Sequence, residues 1–332
     1  MTATVQLVLP GLFDLPPAEL DSAFLAGKLP RLNRILGLAT ARVNRDFTID
    51  AMLRSALALP PSNSSLPAAQ AWAGANDDGE RMLLVEGVHL QADLNNAIAL
   101  PLSGEQQDLD DINLLISDLS DLFKVDFDIT AVAPGQYLMR LKKLEPPLHY
   151  PHPLSILGKS INPFIEQTRQ VLDWYRLHNE IQMFMHQHPV NQQRQLQGRL
   201  AINSLWAWGG GAAPEPGIQP AWYCDDAVLG RFGDSLGLRA CPLAAIEDDP
   251  PDGDAVIVDL RLLRSLKSGL EDRLDRLLLD IERQLLGPVF EILSRRPAIL
   301  RLRAGYDFDF EMKPGAKFKF WRRPGNLADW LK

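Results

Sequence analysis

The residues of this chain that could do chemistry are six histidines, two cysteines and a triple glycine. His149/His152 and His186/His188 are the close histidine pairs, and neither has a carboxylate or cysteine at metal-ligand spacing. They read as surface or hydrogen-bonded loop histidines. Cys224 and Cys241 lie in no CxxC or Cys/His cluster and fit a reducing compartment better than a disulfide scaffold. Met183 and Met185 read as core fillers rather than soft metal ligands. No GxSxG elbow and no HExxH occurs. The glycines Gly209, Gly210 and Gly211 close an apolar run from Leu200 to Trp208, the pattern of a buried strand that delivers a loop at its carboxyl end. In open α/β sheets ligands sit at that edge, and bare backbone N–H groups of glycines can hold an anion there. A tight turn packed under Trp206 and Trp208 is the plainer alternative. No Lys-Ser/Thr follows the glycines and no GxGxxG opens a helix, so neither a P-loop nor a dinucleotide fingerprint is present.

Two charged stretches need the same weighing. Asp108, Asp110, Asp111, Asp118 and Asp121 lie on one helical pattern and read as its solvated face, with a metal site as the alternative. Lys313, Lys317, Lys319, Arg322 and Arg323 interleave with Phe318, Phe320 and Trp321. Such a segment could bind phosphate or dock a partner, and it also makes an edge strand that lysines protect from aggregation.

The elements that must position these groups alternate in type. Val5–Leu9 reads as a first core strand stopped by Pro10-Gly11, and residues 18–39 carry helical spacing. Met82–Val85 and Val88–Leu90 read as strand, Glu105–Phe123 as helix, and Val125–Val132 with Gln136–Leu141 as a hairpin about Pro134-Gly135. Asn162–His186 reads as one long helix. Beyond the glycines, Ala227–Leu236 and Leu270–Leu293 read as helices, and Ala255–Leu260 and Ala298–Arg303 as strands, the former of the parallel, doubly buried type. Asp307–Phe320 reads as a hairpin. At 332 residues, 46% of them hydrophobic, the chain can bury a sizeable core. A net charge of -8 argues against non-specific nucleic-acid binding. No stretch approaches the length of a membrane span and the first residues lack a secretory pattern, so a cytoplasmic, membrane-free protein is expected.

One resemblance emerges from the motifs. His188-Pro189-Val190-Asn191, Arg194, Gly198 and Asn203, followed by the run into Gly209–Gly211, resemble the HPxN–R–G–AN motif of archaeal-type cofactor-independent phosphoglycerate mutases, within the alkaline phosphatase superfamily. Leu7 to Asp14 resembles that family's strand ending in Asp-Gly-x-x-Asp, and Lys28 to Leu36 its Thr-Pro-x-Leu-Asp-x-Leu helix entry. Gly87 to Asp93, Gln182-Met183 and Asn203 to Gly211 are similar to an RpfE-like group of bacterial proteins. The resemblance implies two divalent metals and a serine nucleophile, and here the sequence departs from it. Pro10 stands where the first metal-binding aspartate belongs, and Ala41 to Asp46 offers no serine. Asp259-Leu260-Arg261-Leu262-Leu263 replaces an Asp-x-x-Gly-His, Arg303-Ala304-Gly305-Tyr306-Asp307 replaces a late Asp-His, and no histidine follows His188. Two-metal phosphoryl chemistry needs those ligands.

The sequence therefore leads us to expect an α/β protein with an alkaline phosphatase-like core, its central sheet mostly parallel and flanked by helices, plus a small α+β insert. The expected boundaries are 1–85 and 151–332 for the core and 86–150 for a cap-like insert. The expected role is that of a non-catalytic or regulatory relative, without metal or other cofactor, binding a small phosphorylated or anionic ligand. Asn191, Arg194, Asn203, Trp206, Trp208, Gly209, Gly210 and Gly211 would form its cleft, with Arg194 as a fork for the anion. Arg194 and Asn203 could equally brace the strand. One alternative is an active phosphomutase or phosphatase with two divalent metals held among Asp14, Asp46, Asp50, Asp259, Asp307 and Asp309 with His186 or His188. Another is a scaffold that docks a protein partner through the basic, aromatic segment 313–323.

Overall fold

The computed structural model describes residues 2–16, 20, 22–43, 48–60, 65–73, 81–93, 96–145, 147–165, 171–212, 215–268, 274–305, 308–316 and 325–331. The chain divides into two compact units, one of residues 1–59 and 215–332, the other of residues 60–214. The first opens with β1 (Ala3–Val8), α1 (Ser22–Lys28), α2 (Pro30–Leu38), β2 (Thr40–Val43) and α3 (Ile49–Ala56). The second holds β3 (Met82–Asp93), β4 (Asn96–Leu100), α4 (Gln106–Leu122), β5 (Phe127–Ala133), β6 (Gln136–Leu141), α5 (Leu172–Gln187), α6 (Pro189–Leu196) and β7 (Ser204–Trp208). The first unit then resumes with β8 (Ala221–Cys224), α7 (Ala227–Ser235), β9 (Arg239–Cys241), α8 (Ala245–Asp248), β10 (Ala255–Val258), α9 (Arg261–Lys267), α10 (Leu274–Asp280), α11 (Leu286–Arg295), β11 (Ala298–Arg303) and β12 (Phe308–Met312).

The first unit is a seven-stranded sheet in the order β2-β12-β11-β1-β10-β8-β9. From β11 to β9 every neighbouring pair is parallel, while β12 and β2 join antiparallel at one side. All four residues of β10 are buried, as expected of a strand covered on both faces. Leucines and isoleucines of α2 and α11 pack with Val5, Leu7, Ile257, Leu300 and Leu302 into one core. A π-helical turn at Ile281–Leu285 separates α10 from α11. It directs the buried Glu282 carboxylate at the start of α2, where Oε1 accepts from the Arg31 N–H at 2.7 Å and Oε2 from the Leu32 N–H at 3.1 Å. Leu29, the residue before Pro30, has no side chain able to cap, so the helix takes its cap from a distant carboxylate.

The second unit is an antiparallel sheet in the order β4-β3-β6-β5, with β7 added to β3. Here the expectation for the glycine-closed strand is corrected. β7 is buried along its length but pairs antiparallel with β3, Leu84 opposite Trp208 and Val88 opposite Ser204, and is no part of the parallel sheet. That pairing draws Met82–Val85 and the 150–214 region into one unit, whose limits at 60 and 214 are wider than the expected 86 and 150. The two expected strands across 82–90 form a single strand, and the long helix expected from Asn162 begins only at Leu172, after a 3-10 turn at Asn162–Phe164. Of the hairpin expected over 307–320, β12 lies within the described residues, as does the turn at Lys313-Pro314-Gly315. No helix is long and apolar enough to cross a membrane among the described residues.

Candidate functional site

Asn191, Arg194 and Asn203 are brought to one end of β7, and each is engaged by protein groups. His188 caps α6: Nδ1 accepts from the Val190 N–H at 3.2 Å and Nε2 donates to Asp118 Oδ2 at 3.0 Å. With Pro189 at the first helical position, the cap sets the direction of α6. Asn191, 0% exposed, donates from Nδ2 to the carbonyls of Met185 (2.6 Å) and Ile202 (2.8 Å) and accepts at Oδ1 from the Ile202 N–H (2.7 Å). Asn203 behaves as a piece of strand. Its Oδ1 accepts from the Leu90 N–H at 2.7 Å and its Nδ2 donates to the Leu90 carbonyl at 2.9 Å.

Arg194, 2% exposed, sits at the centre of an ion-pair lattice between α4 and α6. Its Nε donates to the Leu200 carbonyl at 2.7 Å, and its Nη1 lies 2.7 Å from Asp108 Oδ1 and 2.6 Å from Asp111 Oδ2. Arg199 bonds the same two carboxylates, and the Ser103 hydroxyl donates to Asp108. Burial alone would push the Asp108 carboxyl up. The Ser103 hydroxyl and the two guanidiniums together more than offset that and hold it below its ordinary value. The expected solvated acidic stripe is corrected for Asp108, which is buried, and for Asp111, which is half-buried between two arginines. A guanidinium so engaged presents no fork to an incoming anion.

The tryptophans and glycines pack in the same way. Trp206 donates from its indole N–H to the Pro151 carbonyl at 2.8 Å and stacks on Tyr150 with ring centres 4.6 Å apart. Trp208 packs on His152 at 4.5 Å, its buried indole N–H without a hydrogen-bond partner among the described residues. Gly209 has φ +77°, and its carbonyl accepts from the Ala69 N–H at 2.9 Å. A side chain at Gly210 would come within 2.9 Å of Leu83 Cδ2, and the Gly211 carbonyl accepts from Gln70 Nε2 at 2.8 Å. The plainer alternative for this loop, a packed turn, describes these contacts.

The carboxyl edge of the parallel sheet lies in the other unit. After β1, Gly11 turns at φ +89°, and a Cβ there would come within 3.1 Å of Leu263 Cα. After β8, Asp225 accepts from the Leu243 N–H at 2.9 Å, and Asp226 caps α7 through the Leu229 N–H at 2.8 Å and pairs with Arg264. After β10, Asp259 is fully buried and held in a fork. Oδ1 accepts from Arg261 Nε and N–H, both at 3.0 Å, and Oδ2 from Nη2 at 2.7 Å. That bonding holds the Arg261 guanidinium above its ordinary value. At the end of β11, Arg303 bonds Asp309 at 2.8 Å and Gln6 at 3.1 Å.

The two divalent metals that the resemblance implies do not fit these residues. Pro10 offers no donor, and Asp259 and Asp226 each face an arginine where a cation would stand. The carboxylates of the active alternative do not converge among the described residues. Asp14 is exposed in the turn after β1, Asp50 is buried in α3, and Asp309 is paired with Arg303. Asp46 and Asp307 lie outside the described residues, as do residues 317–323 of the basic segment. His186 is exposed on α5, and His188 is the cap of α6. No three His, Cys, Asp or Glu side chains are grouped to hold a metal among the described residues.

Sequence reasoning missed Arg261 and Arg264 as the partners of Asp259 and Asp226. The Asp-x-Arg spacing at 259–261 carried the signal for the first, since an arginine two residues beyond a strand-ending aspartate can fold back on it. Nothing local pointed to the second.

No protein-family model and no curated protein matches the chain. Among solved structures, the PH0037 protein from Pyrococcus horikoshii is similar at a TM-score of 0.51 and 12% identity, over 99% of this chain and 92% of that one. A cofactor-independent phosphoglycerate mutase from Thermoplasma acidophilum DSM 1728 is similar at a TM-score of 0.45 and 15% identity, over 99% of this chain and 95% of that one. The first of these likenesses shows a shared fold, which in this chain is a mixed α/β architecture about a mostly parallel seven-stranded sheet.

Proposed function

We propose that the chain is a non-catalytic relative of the cofactor-independent phosphoglycerate mutases, with an alkaline phosphatase-like core, that acts by binding rather than by phosphoryl transfer. The observation that carries this reading is the Asp259–Arg261 fork at the carboxyl edge of the parallel sheet. A metal-assisted transfer needs strand-ending carboxylates with free lone pairs to hold two ions. In this chain a tethered guanidinium supplies the positive charge at that edge, and both Asp259 oxygens are taken up by it. The ligand proposed is of the small phosphorylated or anionic class that the motif implies, and Arg194 is not its anchor. The regulatory, RpfE-like character belongs to the same proposal and rests on the sequence motifs.

Metal analysis of the purified protein, with aryl phosphate hydrolysis in added Mn²⁺ or Zn²⁺, tests it. We expect neither tightly bound metal nor turnover. Two retained metals together with turnover would overturn the reading. A rise in melting temperature with millimolar 3-phosphoglycerate would support the ligand class, and an unchanged one would remove it.

A further inference from the structure

We infer that the outer face of α4 docks a partner protein through a basic, amphipathic helix. The inward stripe of α4 (Ile112, Leu115, Ile116 and Leu119) is buried, as an amphipathic pattern requires. Leu114 lies across the helix from that stripe, two residues from both Ile112 and Ile116, and is 51% exposed. Leu122, at the end of the helix, is 59% exposed, and Val125, in the turn beyond, 63%. Steps of four residues place Leu114 and Leu122 on one ridge with Asp110 and Asp118, in the order acid, leucine, acid, leucine. Asp121 lies on the neighbouring row. Ridges of this kind pack between the side chains of a second helix.

Charge selects the occupant. α4 contains five aspartates and no lysine or arginine. Arg194 and Arg199 answer Asp108 and Asp111. Asp110 accepts from the Gln106 amide at 2.9 Å and Asp118 from His188 at 3.0 Å. No lysine or arginine pairs with Asp110, Asp118 or Asp121 among the described residues. Asp121 stands in the last turn, where the helix dipole favours a cation, and that turn holds no basic residue. The free face thus leaves its leucines wet and its carboxylates unanswered. A partner helix with lysines or arginines set among aliphatic side chains at four-residue steps meets both conditions. A second copy of α4 does not, because without a cation of its own the face would set carboxylate against carboxylate. This surface is separate from the small-anion site proposed above.

The probe is a labelled synthetic helical peptide whose leucines and lysines alternate at four-residue steps along one face, titrated with the whole chain by fluorescence anisotropy. We expect saturable binding that weakens as salt rises from about 0.01 to about 1 M, where the screening length falls from about 30 to about 3 Å. Leu114→Ser combined with Leu122→Ser should weaken it about tenfold or more. Asp110→Asn combined with Asp121→Asn should weaken it about threefold and flatten its salt dependence. A peptide with glutamates in place of the lysines should not bind. Absence of binding, wild-type affinity in the double-serine variant, or equal binding of the glutamate peptide would overturn the inference. So would a dimer in sedimentation that the double-serine variant loses, since a second copy would then occupy the face. Circular dichroism reports whether the variants fold. Should one fail to, amide exchange of the wild type with the lysine peptide decides: slowed exchange in α4 supports the inference, and slowing confined to other elements overturns it.

Discussion

Replacing Arg194 by methionine separates a bracing role from a ligand-holding one. Methionine preserves much of the apolar stem's packing, so the change isolates the guanidinium. Its removal leaves the Leu200 carbonyl without its donor and leaves Arg199 as the one guanidinium on Asp108 and Asp111, with the Ser103 hydroxyl still on Asp108. Breaking a buried ion pair from one side costs about 3–5 kcal/mol. Arg199 remains beside both acids, which brings our expectation to about 2–4 kcal/mol. The assay is urea unfolding followed by tryptophan emission at pH 7. Adding Asp108→Asn to the variant should recover part of the loss, because it removes the buried charge left behind, and the non-additivity measures the coupling. The wild type has a linked signature. Asp108 is held below its ordinary value, so its contribution is full above the unfolded-state value and is lost as pH falls through the lower native one. A stability change under about 0.5 kcal/mol, as at an open surface site, would refute the bracing argument and return Arg194 to the candidates for a ligand anchor.

Further outcomes follow from contacts at two other places. Glu282→Ala should cost about 1–2 kcal/mol in urea unfolding, the range for a lost helix cap, since it strips the Arg31 and Leu32 N–H groups of their acceptor. Because burial raises the Glu282 carboxyl, the wild type should lose stability as pH rises from the ordinary carboxylate value through the raised one, and Glu282→Gln should lack that loss. Gly209→Ala should cost about 1–2 kcal/mol in the same assay, for a left-handed backbone that also presses a Cβ on Leu84 and Ala69. Wild-type stability in that variant would mean that the loop is less tightly seated than its contacts imply.

What could be read from the sequence was whatever short-range pattern decides. The four apolar residues of β10, the strand Ala298–Arg303 and the apolar stripe of α4 need no knowledge of their neighbours. The sheet to which β7 belongs was not readable, because an apolar run looks the same in either sheet and its partner β3 lies more than a hundred residues earlier. The role of Arg194 was hidden for the same reason, since Asp111 precedes it by 83 residues. One clue was within reach. Asp108 falls four, seven and eleven residues before Ile112, Leu115 and Leu119, on the buried face rather than the wet one. An aspartate in that position asks for a cation, and Arg194 and Arg199 lie on the segment that crosses it. The alternative of Asn203 as a brace was visible in outline, but its actual partner, the backbone of Leu90, was not.

The division of the first unit into two stretches of chain sets an order of events during synthesis. β1 leaves the ribosome long before its hydrogen-bonding partners β10 and β11, with Val5 beside Ala255 and Ala3 beside Ala298. At ribosomal rates of roughly 5–20 residues per second, this apolar strand waits about 10–60 s for either neighbour. The second unit, continuous from 60 to 214, emerges whole in the meantime. The nascent chain thus exposes an unpaired strand of the central sheet until β10 or β11 is made, and that interval is where a chaperone has most to protect.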